Sequence, residues 1–456
     1  MKKTNTMLFI ALFILSATLK AQLPAELQTR LQTVLDSVCL KNNIKGASAA
    51  VLYPGKGTWK GTSGISHDNA PINSDMLLGM GSNTKTFIST ATLILQEKGL
   101  LNIDDSIGKW IHNKPNINGQ ITIKQCLNHT SGIFEYTKNE SVNDSIFGNP
   151  GKIWTKDELL ALANEPYFAP GTSWKYSNTN YIIVGEIIEK VSGKSHQQVV
   201  RELILTPAGL TNTFFYDEAN VSSRMPHQWS KRFNGTSLMD MTKLETDYNP
   251  TLYSMASTAG SMVTTAEDNV QFWHKLISGQ LLSPESFRQL TTLVDDGYGL
   301  GIFFYSKALN NRSFYSHGGT YFGFINENMV DTTSGVCISV LTNQDSVTNN
   351  TLFSTVIRAL HKVSIQMPVG LKESVYNNPS FKIYPNPASN EINIEHAENK
   401  DDLKISIYDM TGQLQYETQG TERSIPVNDL KNGIYFIQLV NGKGELIHTQ
   451  KLIISK

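Results

Sequence analysis

Apolar residues recur at helical spacing at Leu27, Leu31, Val34, Leu35 and Val38, which predicts an amphipathic helix. The run "ASAAVLYP" that follows reads as a strand stopped by Pro54. A second helical period opens after Thr84, through Phe87, Ile88, Ala91, Ile94 and Leu95, and Gly99 interrupts it. From about Ile121 to Leu290 the pattern stays mostly helical between turn-rich breaks. One example is "NYIIVGEIIEKVSG", apolar at Ile182, Ile183, Ile187, Ile188 and Val191. Strand-like runs return at "GIFFYS", "GFINENMV" and "VCISVLTN". Helices inserted between first and last strands predict one α+β domain.

The stretch "HKVSIQMPVGLKESVYNNPS" loses periodicity, and a linker is expected over 366–380. Beyond Phe381 short alternating runs stand between turns: "EINIEH", "LKISIYD", "GQLQYET", "SIPVNDL", "GIYFIQLV" and "LIHTQKLIIS". That spacing predicts a small all-β sandwich over 381–456. At the other end, Lys2 and Lys3 precede an apolar run from Met7 to Leu15 and small residues up to Ala21, the pattern of a secretory signal over 1–21. The run is too short to span a bilayer, so the mature chain is expected to be soluble.

The chain has 456 residues, 40% hydrophobic and 17% charged, enough for a core of several hundred residues and a second, smaller unit. The first domain is therefore expected over 22–365. Removing the leader leaves 36 basic residues against 40 acidic ones, a balance that predicts no nucleic-acid partner. Cys39, Cys126 and Cys337 sit among apolar or β-branched neighbours and read as small buried hydrophobes. An odd count without CxxC gives no disulfide framework and no metal site, although export leaves room for one disulfide pair.

Ser82 and Lys85 lie one turn apart at the start of the second helical period, so their side chains share a face. Ser-x-x-Lys alone is weak, because Ser106 and Lys109 repeat it. Tyr176-Ser177-Asn178 and His317-Gly318-Gly319 add the chemistry that would make the first pair a site. A serine hydroxyl is a poor nucleophile until a base takes its proton, and lysine serves as that base only when burial or nearby positive charge lowers its pKa. Tyr176 could act as general base or relay the proton, and Asn178 could hold both the lysine and a substrate amide. Gly318 and Gly319 leave a strand edge open for a substrate backbone, with His317 facing the leaving group. The N–H groups of Ser82 and Thr320 would form the oxyanion hole. "NHTSG" places His129 beside Ser131, but neighbours in one turn rarely aim at one another, and a structural turn is expected there. No GxSxG, HExxH or complete phosphate-loop string occurs, and the chemistry needs neither metal nor cofactor.

Ser82-x-x-Lys85, Tyr176-x-Asn178 and His317-x-Gly319 are joined by "CLNHTSGI", "PGTSWKYSNTNYIIVGEIIEKVSGKS" and "AGSMVTTAEDNVQFW". Together they resemble the β-lactamase and penicillin-binding serine hydrolases of the class C and D-alanyl-D-alanine carboxypeptidase branch, over about 25–365. The resemblance implies an antiparallel sheet backed by helices, a helical subdomain bordering the cleft, and an acyl-enzyme on Ser82. His317 departs from the lysine of class C β-lactamases and is similar to peptidase, aminopeptidase and esterase members. That ranks a D-peptidase or esterase above a β-lactamase and leaves a fixed charge for a substrate carboxylate to be found elsewhere. A non-catalytic surface ligand-binding protein is the alternative of another class. "KIYPNPASNEINI", "ISIYDMTGQ" and "LKNGIYFIQL" resemble the type A sorting domain of the type IX secretion system, implying that secretion machinery as a partner and release or anchoring at the cell surface.

Overall fold

The computed structural model describes residues 23–232, 237–309, 311–366, 381–396, 403–409, 414–420, 424–442 and 446–456. The leader expected over 1–21 and residues 367–380 of the expected linker lie outside them. The chain divides into two compact units between Ser364 and Ile365.

Helix α1 (Ala25–Lys41) buries Leu27, Leu31, Leu35 and Cys39 along one stripe. Strand β1 (Gly46–Tyr53) is buried at every position, so its small and apolar residues follow one another without alternation, as in a strand covered on both faces. β2 (Gly57–His67) folds back on β1, and β3 (Ala70–Pro71) closes that edge. The remaining strands come from the far end of the unit: β4 (Phe303–Leu309), β5 (Arg312–Ser316), β6 (Gly319–Tyr321), β7 (Phe324–Asp331) and β8 (Cys337–Thr342). The sheet order is β3-β2-β1-β8-β7-β5-β4, with β6 pairing onto β7, and every pairing is antiparallel. β1 joins β8 from Ala47 opposite Thr342 to Leu52 opposite Cys337, so the first and last strands are neighbours at the centre.

Between them lie the helices that carry the site. α2 (Thr84–Glu97) is buried along its whole length from Thr84 to Leu95. Its polar residues are satisfied internally: Thr86 Oγ1 donates to the Gly301 carbonyl and Thr90 Oγ1 to the Thr86 carbonyl. α3 (Thr179–Ser192) ends on Gly193 at φ 67°, a left-handed cap that glycine adopts without strain. α4 (Asn249–Gly260) contains Ser257 at φ 41°, ψ −134°, a conformation that costs a residue with a side chain about 1–3 kcal/mol. α5 (Ala266–Ile277), capped by the Thr265 side chain on the Asp268 N–H, packs on β1 and β8.

All three cysteines are buried free thiols, and burial pushes Cys39 up to about 12 and the other two higher still. Among the described residues no helix is long and apolar enough to cross a membrane.

The second unit is all-β. β9 (Phe381–Tyr384), β10 (Glu391–His396) and β13 (Ser424–Pro426) make one sheet, in the order β9-β10-β13. β11 (Leu403–Asp409), β12 (Leu414–Gly420), β14 (Gly433–Asn441) and β15 (Leu446–Ile454) make the other, in the order β12-β11-β14-β15. Ile383, Ile392 and Ile425 from the first sheet share one core with Ile405, Ile437, Leu439 and Leu452 from the second.

Candidate active site

Ser82 stands in a 3₁₀ turn, Gly81–Asn83, immediately ahead of α2. The turn approaches β6 so closely that two glycines are required. A Cβ on Gly81, which has φ 48°, would lie 2.7 Å from the Thr320 carbonyl oxygen, and one on Gly319 would lie 1.8 Å from the Met80 oxygen. This contact sets the backbone of Thr320 beside the turn that carries Ser82, the arrangement that an oxyanion hole from Ser82 and Thr320 would demand. A Gly319→Ala variant must push strand and turn apart. Overpacking of this kind is expected to lower stability by about 1–3 kcal/mol, read as a drop in the unfolding midpoint, whereas an unchanged midpoint would show that the contact gives way freely.

A buried amide chain reinforces the same junction. Asn83 Nδ2 donates to Asn269 Oδ1 (3.0 Å), Asn326 Nδ2 to the Met80 carbonyl (2.6 Å), and Asn328 Nδ2 to the His317 carbonyl (2.8 Å). Asn269 Nδ2 closes the chain onto Asn328 Oδ1. The turn carrying Ser82 and the strand carrying Thr320 are thus tied by groups that have no water to compete for them.

Lys85 is fully buried. Its Nζ donates to Ser82 Oγ (3.0 Å), Asn178 Oδ1 (2.7 Å) and the Ala259 carbonyl (2.7 Å). Burial pulls its pKa down from the ordinary lysine range to about 7, against the opposing charge of Glu135. An amine with that pKa is free to accept a proton near neutral pH. The Ala259 carbonyl reaches Lys85 just beyond the strained Ser257, so the distortion of α4 falls where it shapes the lysine's cage. Asn178 is fixed in turn by Glu135, whose Oε2 accepts from the Asn178 N–H at 2.5 Å.

Tyr176 lies beside both Ser82 and Lys85. Lys85 Nζ lies 4.9 Å from the centroid of its ring and makes no hydrogen bond to its hydroxyl. That hydroxyl is buried without a well-formed hydrogen bond among the described residues. Burial holds the phenol well above its ordinary pKa, and the adjacent Ser82 hydroxyl only partly offsets this. The group that bonds Ser82 Oγ is therefore the lysine, and the tyrosine stays protonated, suited to donating a proton rather than taking one.

His317 does not face the cleft. Its Nδ1–H donates to the Gly318 carbonyl (2.7 Å) and its Nε2 accepts from the Tyr298 hydroxyl (3.1 Å). Burial, with the Lys85 charge, pulls its pKa down to about 3, so the ring is neutral across the working range. Gly318 is packed on its far side by Glu327: a Cβ there would lie 2.3 Å from Glu327 Oε2. The cleft itself, about 360 Å³, is bordered by Ser82, Asn178 and Thr320, with apolar walls from Val142, Ile146, Leu252 and Met255. His317 and Gly319 are buried, Gly318 is half-buried, and none of the three is among the residues that border the cleft.

The second Ser-x-x-Lys pair is a surface turn in which Lys109 pairs with Asp105. The "NHTSG" string forms a shelf under the site. His129 Nδ1 accepts from the Ser177 N–H (3.3 Å) and Asn180 Nδ2 (3.1 Å), Ser131 Oγ donates to Asn180 Oδ1 (2.6 Å), and the imidazole lies 4.2 Å from the Tyr176 ring. Sequence reasoning passed over Glu135, the Ala259 carbonyl and Tyr298. A lone acid in "GIFEYT", a backbone oxygen and one tyrosine among many carry no pattern to find them by.

Comparison with known proteins bears on the family and the fold. The Beta-lactamase family model matches residues 23–357, and the Secretion system C-terminal sorting domain model matches residues 382–455. The putative penicillin-binding protein PbpX of Bacillus subtilis (strain 168) is 31% identical over 239 residues, 51% of this chain and 55% of that protein. Penicillin-binding protein 4* of the same organism is 32% identical over 164 residues, 35% of each chain. The chain thus spans about half, or less, of the length of the curated relatives it matches. Among solved structures, a D-stereospecific amidohydrolase from Streptomyces sp. is 28% identical with a TM-score of 0.63, covering 73% of this chain and 98% of that one. The D-amino acid amidase of Ochrobactrum anthropi SV3, complexed with L-phenylalanine, shares the fold at 23% identity, with a TM-score of 0.65 and coverage of 75% and 99%. With most of its length matched by one family model and its Ser82–Lys85–Asn178 cluster assembled at one cleft, the chain belongs to the Beta-lactamase family and ends in a secretion system C-terminal sorting domain.

Proposed function

We propose that this protein is an exported serine hydrolase that forms an acyl-enzyme on Ser82 and cleaves amide or ester bonds, with peptides ending in D-amino acids as the favoured substrates. The observation that carries the reading is the 3.0 Å bond between Ser82 Oγ and a buried Lys85 whose pKa is drawn to about 7. In the free-base form the amine takes the hydroxyl proton as Oγ attacks the carbonyl carbon. The oxyanion that forms is met by the Ser82 and Thr320 N–H groups, and the Tyr176 hydroxyl protonates the departing nitrogen or oxygen. The resulting ammonium on Lys85 returns a proton to the tyrosine. Water then repeats the sequence on the acyl ester. The likeness to a D-stereospecific amidohydrolase supports D-configured substrates, and the apolar cleft walls suit small hydrophobic side chains. The sorting domain over 382–455, with the leader expected over 1–21, supports export through the type IX machinery to the cell surface or beyond. The expected domains remain 22–365 for catalysis and 381–456 for sorting.

Incubating the intact protein with a fluorophosphonate or a penicillin and mapping the adduct by mass spectrometry tests this. The adduct is expected on Ser82 and absent from Ser82→Ala. An adduct elsewhere, or equal turnover of nitrocefin, p-nitrophenyl esters and D-Ala-D-Ala peptides by wild type and Ser82→Ala, would leave a surface ligand-binding protein as the reading.

A further inference from the structure

We infer that Glu135 is a positioning residue of the Ser82 reaction: through Asn178 it holds a negative charge behind the Lys85 amine and so governs when that amine can act as a base. The inference rests on the reading of Ser82 as nucleophile and Lys85 as its base.

The neighbours of Glu135 in the chain set it opposite Asn178. The Phe134 carbonyl accepts from Ser177 Oγ (3.2 Å) and Thr179 Oγ1 (2.5 Å), and the Tyr136 N–H donates to Thr179 Oγ1 (3.0 Å). These bonds join residues 134–136 to the residues that open α3, so Glu135 Oε2 meets the Asn178 N–H at 2.5 Å. At the other oxygen, Oε1 accepts from the Thr137 N–H (3.1 Å) and Thr137 Oγ1 (2.9 Å), capping the 3₁₀ turn Tyr136–Lys138. Glu135 is buried, and each of these partners is a donor, surroundings that suit an ionised carboxylate with only lone pairs to offer. Asn178 carries the connection onward, because its Oδ1 accepts from Lys85 Nζ (2.7 Å). One asparagine thus touches both groups, with its N–H on the carboxylate and its side-chain oxygen on the amine.

Of the ionisable groups packed around Lys85 among the described residues, Glu135 is the one that brings a charge at neutral pH. The rings of Tyr176 and Tyr181 lie 4.9 and 5.5 Å from Nζ, and burial raises both phenols out of the neutral range. Burial, with the Lys85 charge, pulls His129 and His317 well below the ordinary imidazole value, so neither is a cation there. Burial also lowers Lys85, and the Glu135 charge is what opposes it; the same charge helps to keep the Tyr176 phenol protonated. Away from water such a charge is weakly screened and acts across the intervening amide. Without it the amine would lose its proton at a lower pH and would be a weaker base toward the Ser82 hydroxyl.

Intact mass measured over time with a fluorophosphonate, at a series of pH values, gives the acylation profile of wild type and Glu135→Gln. Removing the charge is expected to move the rising limb down from about 7 by about one pH unit and to leave the plateau within about tenfold. Glu135→Asp keeps the charge, so its limb should stay within about half a pH unit of wild type, whatever becomes of its plateau. A merely structural role predicts a lowered plateau with an unmoved limb in Glu135→Gln, and that result would overturn the inference. Equal movement of the limb in the Gln and Asp variants would overturn it as well. Should Glu135→Gln not fold, Glu135→Met, unbranched and with no amide to misorient, takes its place, and if neither folds the residue serves the fold and the inference falls. Nitrogen NMR of the Lys85 amine, assigned by its loss in Lys85→Met, follows the same shift without turnover and apart from Glu327, which titrates over the same range. If wild type forms no adduct on Ser82, the reading of Ser82 fails, while that titration still decides for or against Glu135.

Discussion

Replacing Lys85 by Met is expected to slow acylation of Ser82 by about 10³- to 10⁴-fold while the protein remains folded. Methionine has nearly the volume of the lysine stem, so the loss is of the amine and not of packing. The variant separates two ionisations as well. Below about pH 7 the buried Lys85 carries a proton and cannot accept another, so wild-type kcat/KM should rise with pH through that value and level off above it. Glu327, buried against Gly318, is also pushed up to about 7 and titrates over the same range. If Lys85 is the base, the residual activity of Lys85→Met loses the rising limb. Should the limb persist unchanged in the variant, Glu327 or another group produces it and the assignment of Lys85 as base fails. Intact mass measured over time with a penicillin or fluorophosphonate gives the acylation rate at each pH.

Much of this site was legible in the sequence because its main parts carry periodic or repeated signals. The opening of the second helical period located Ser82, and the helical repeat put Lys85 on the same face one turn on. The motif Tyr176-Ser177-Asn178 picked out Asn178, which the structure sets at the start of α3. What escaped has physical reasons. β2 is built from Gly, Ser and Thr with Trp59 as its largest buried residue, so no apolar alternation announced it. β5 and β6 are short and follow each other closely, so neither shows as an alternating run of its own. His317 was expected at the cleft because motif order says which residues gather but not which way a ring turns. Tyr298, more than a dozen residues earlier in the chain, turns it away by offering a hydroxyl to Nε2.

Tyr176→Phe removes one hydroxyl and no packing, and its effect should depend on the leaving group. An amide nitrogen cannot depart as an anion, so its expulsion needs a proton delivered as the bond breaks, and the protonated, buried phenol beside Ser82 is placed to deliver it. A p-nitrophenyl ester loses a stabilised phenolate and needs no such help. Acylation by a D-Ala-D-Ala peptide is therefore expected to fall by about 10²-fold or more in Tyr176→Phe, while acylation by a p-nitrophenyl ester falls by less than about tenfold. A base role for the phenol would instead slow both substrates alike, because Ser82 must lose its proton whichever group leaves. The physical ground for expecting the split is the pair of opposed pKa shifts: burial lowers the lysine into the neutral range and raises the tyrosine out of it. Equal losses on amide and ester would return the base role to Tyr176. Wild-type rates on both would reduce Tyr176 to a wall between the His129 shelf and Lys85.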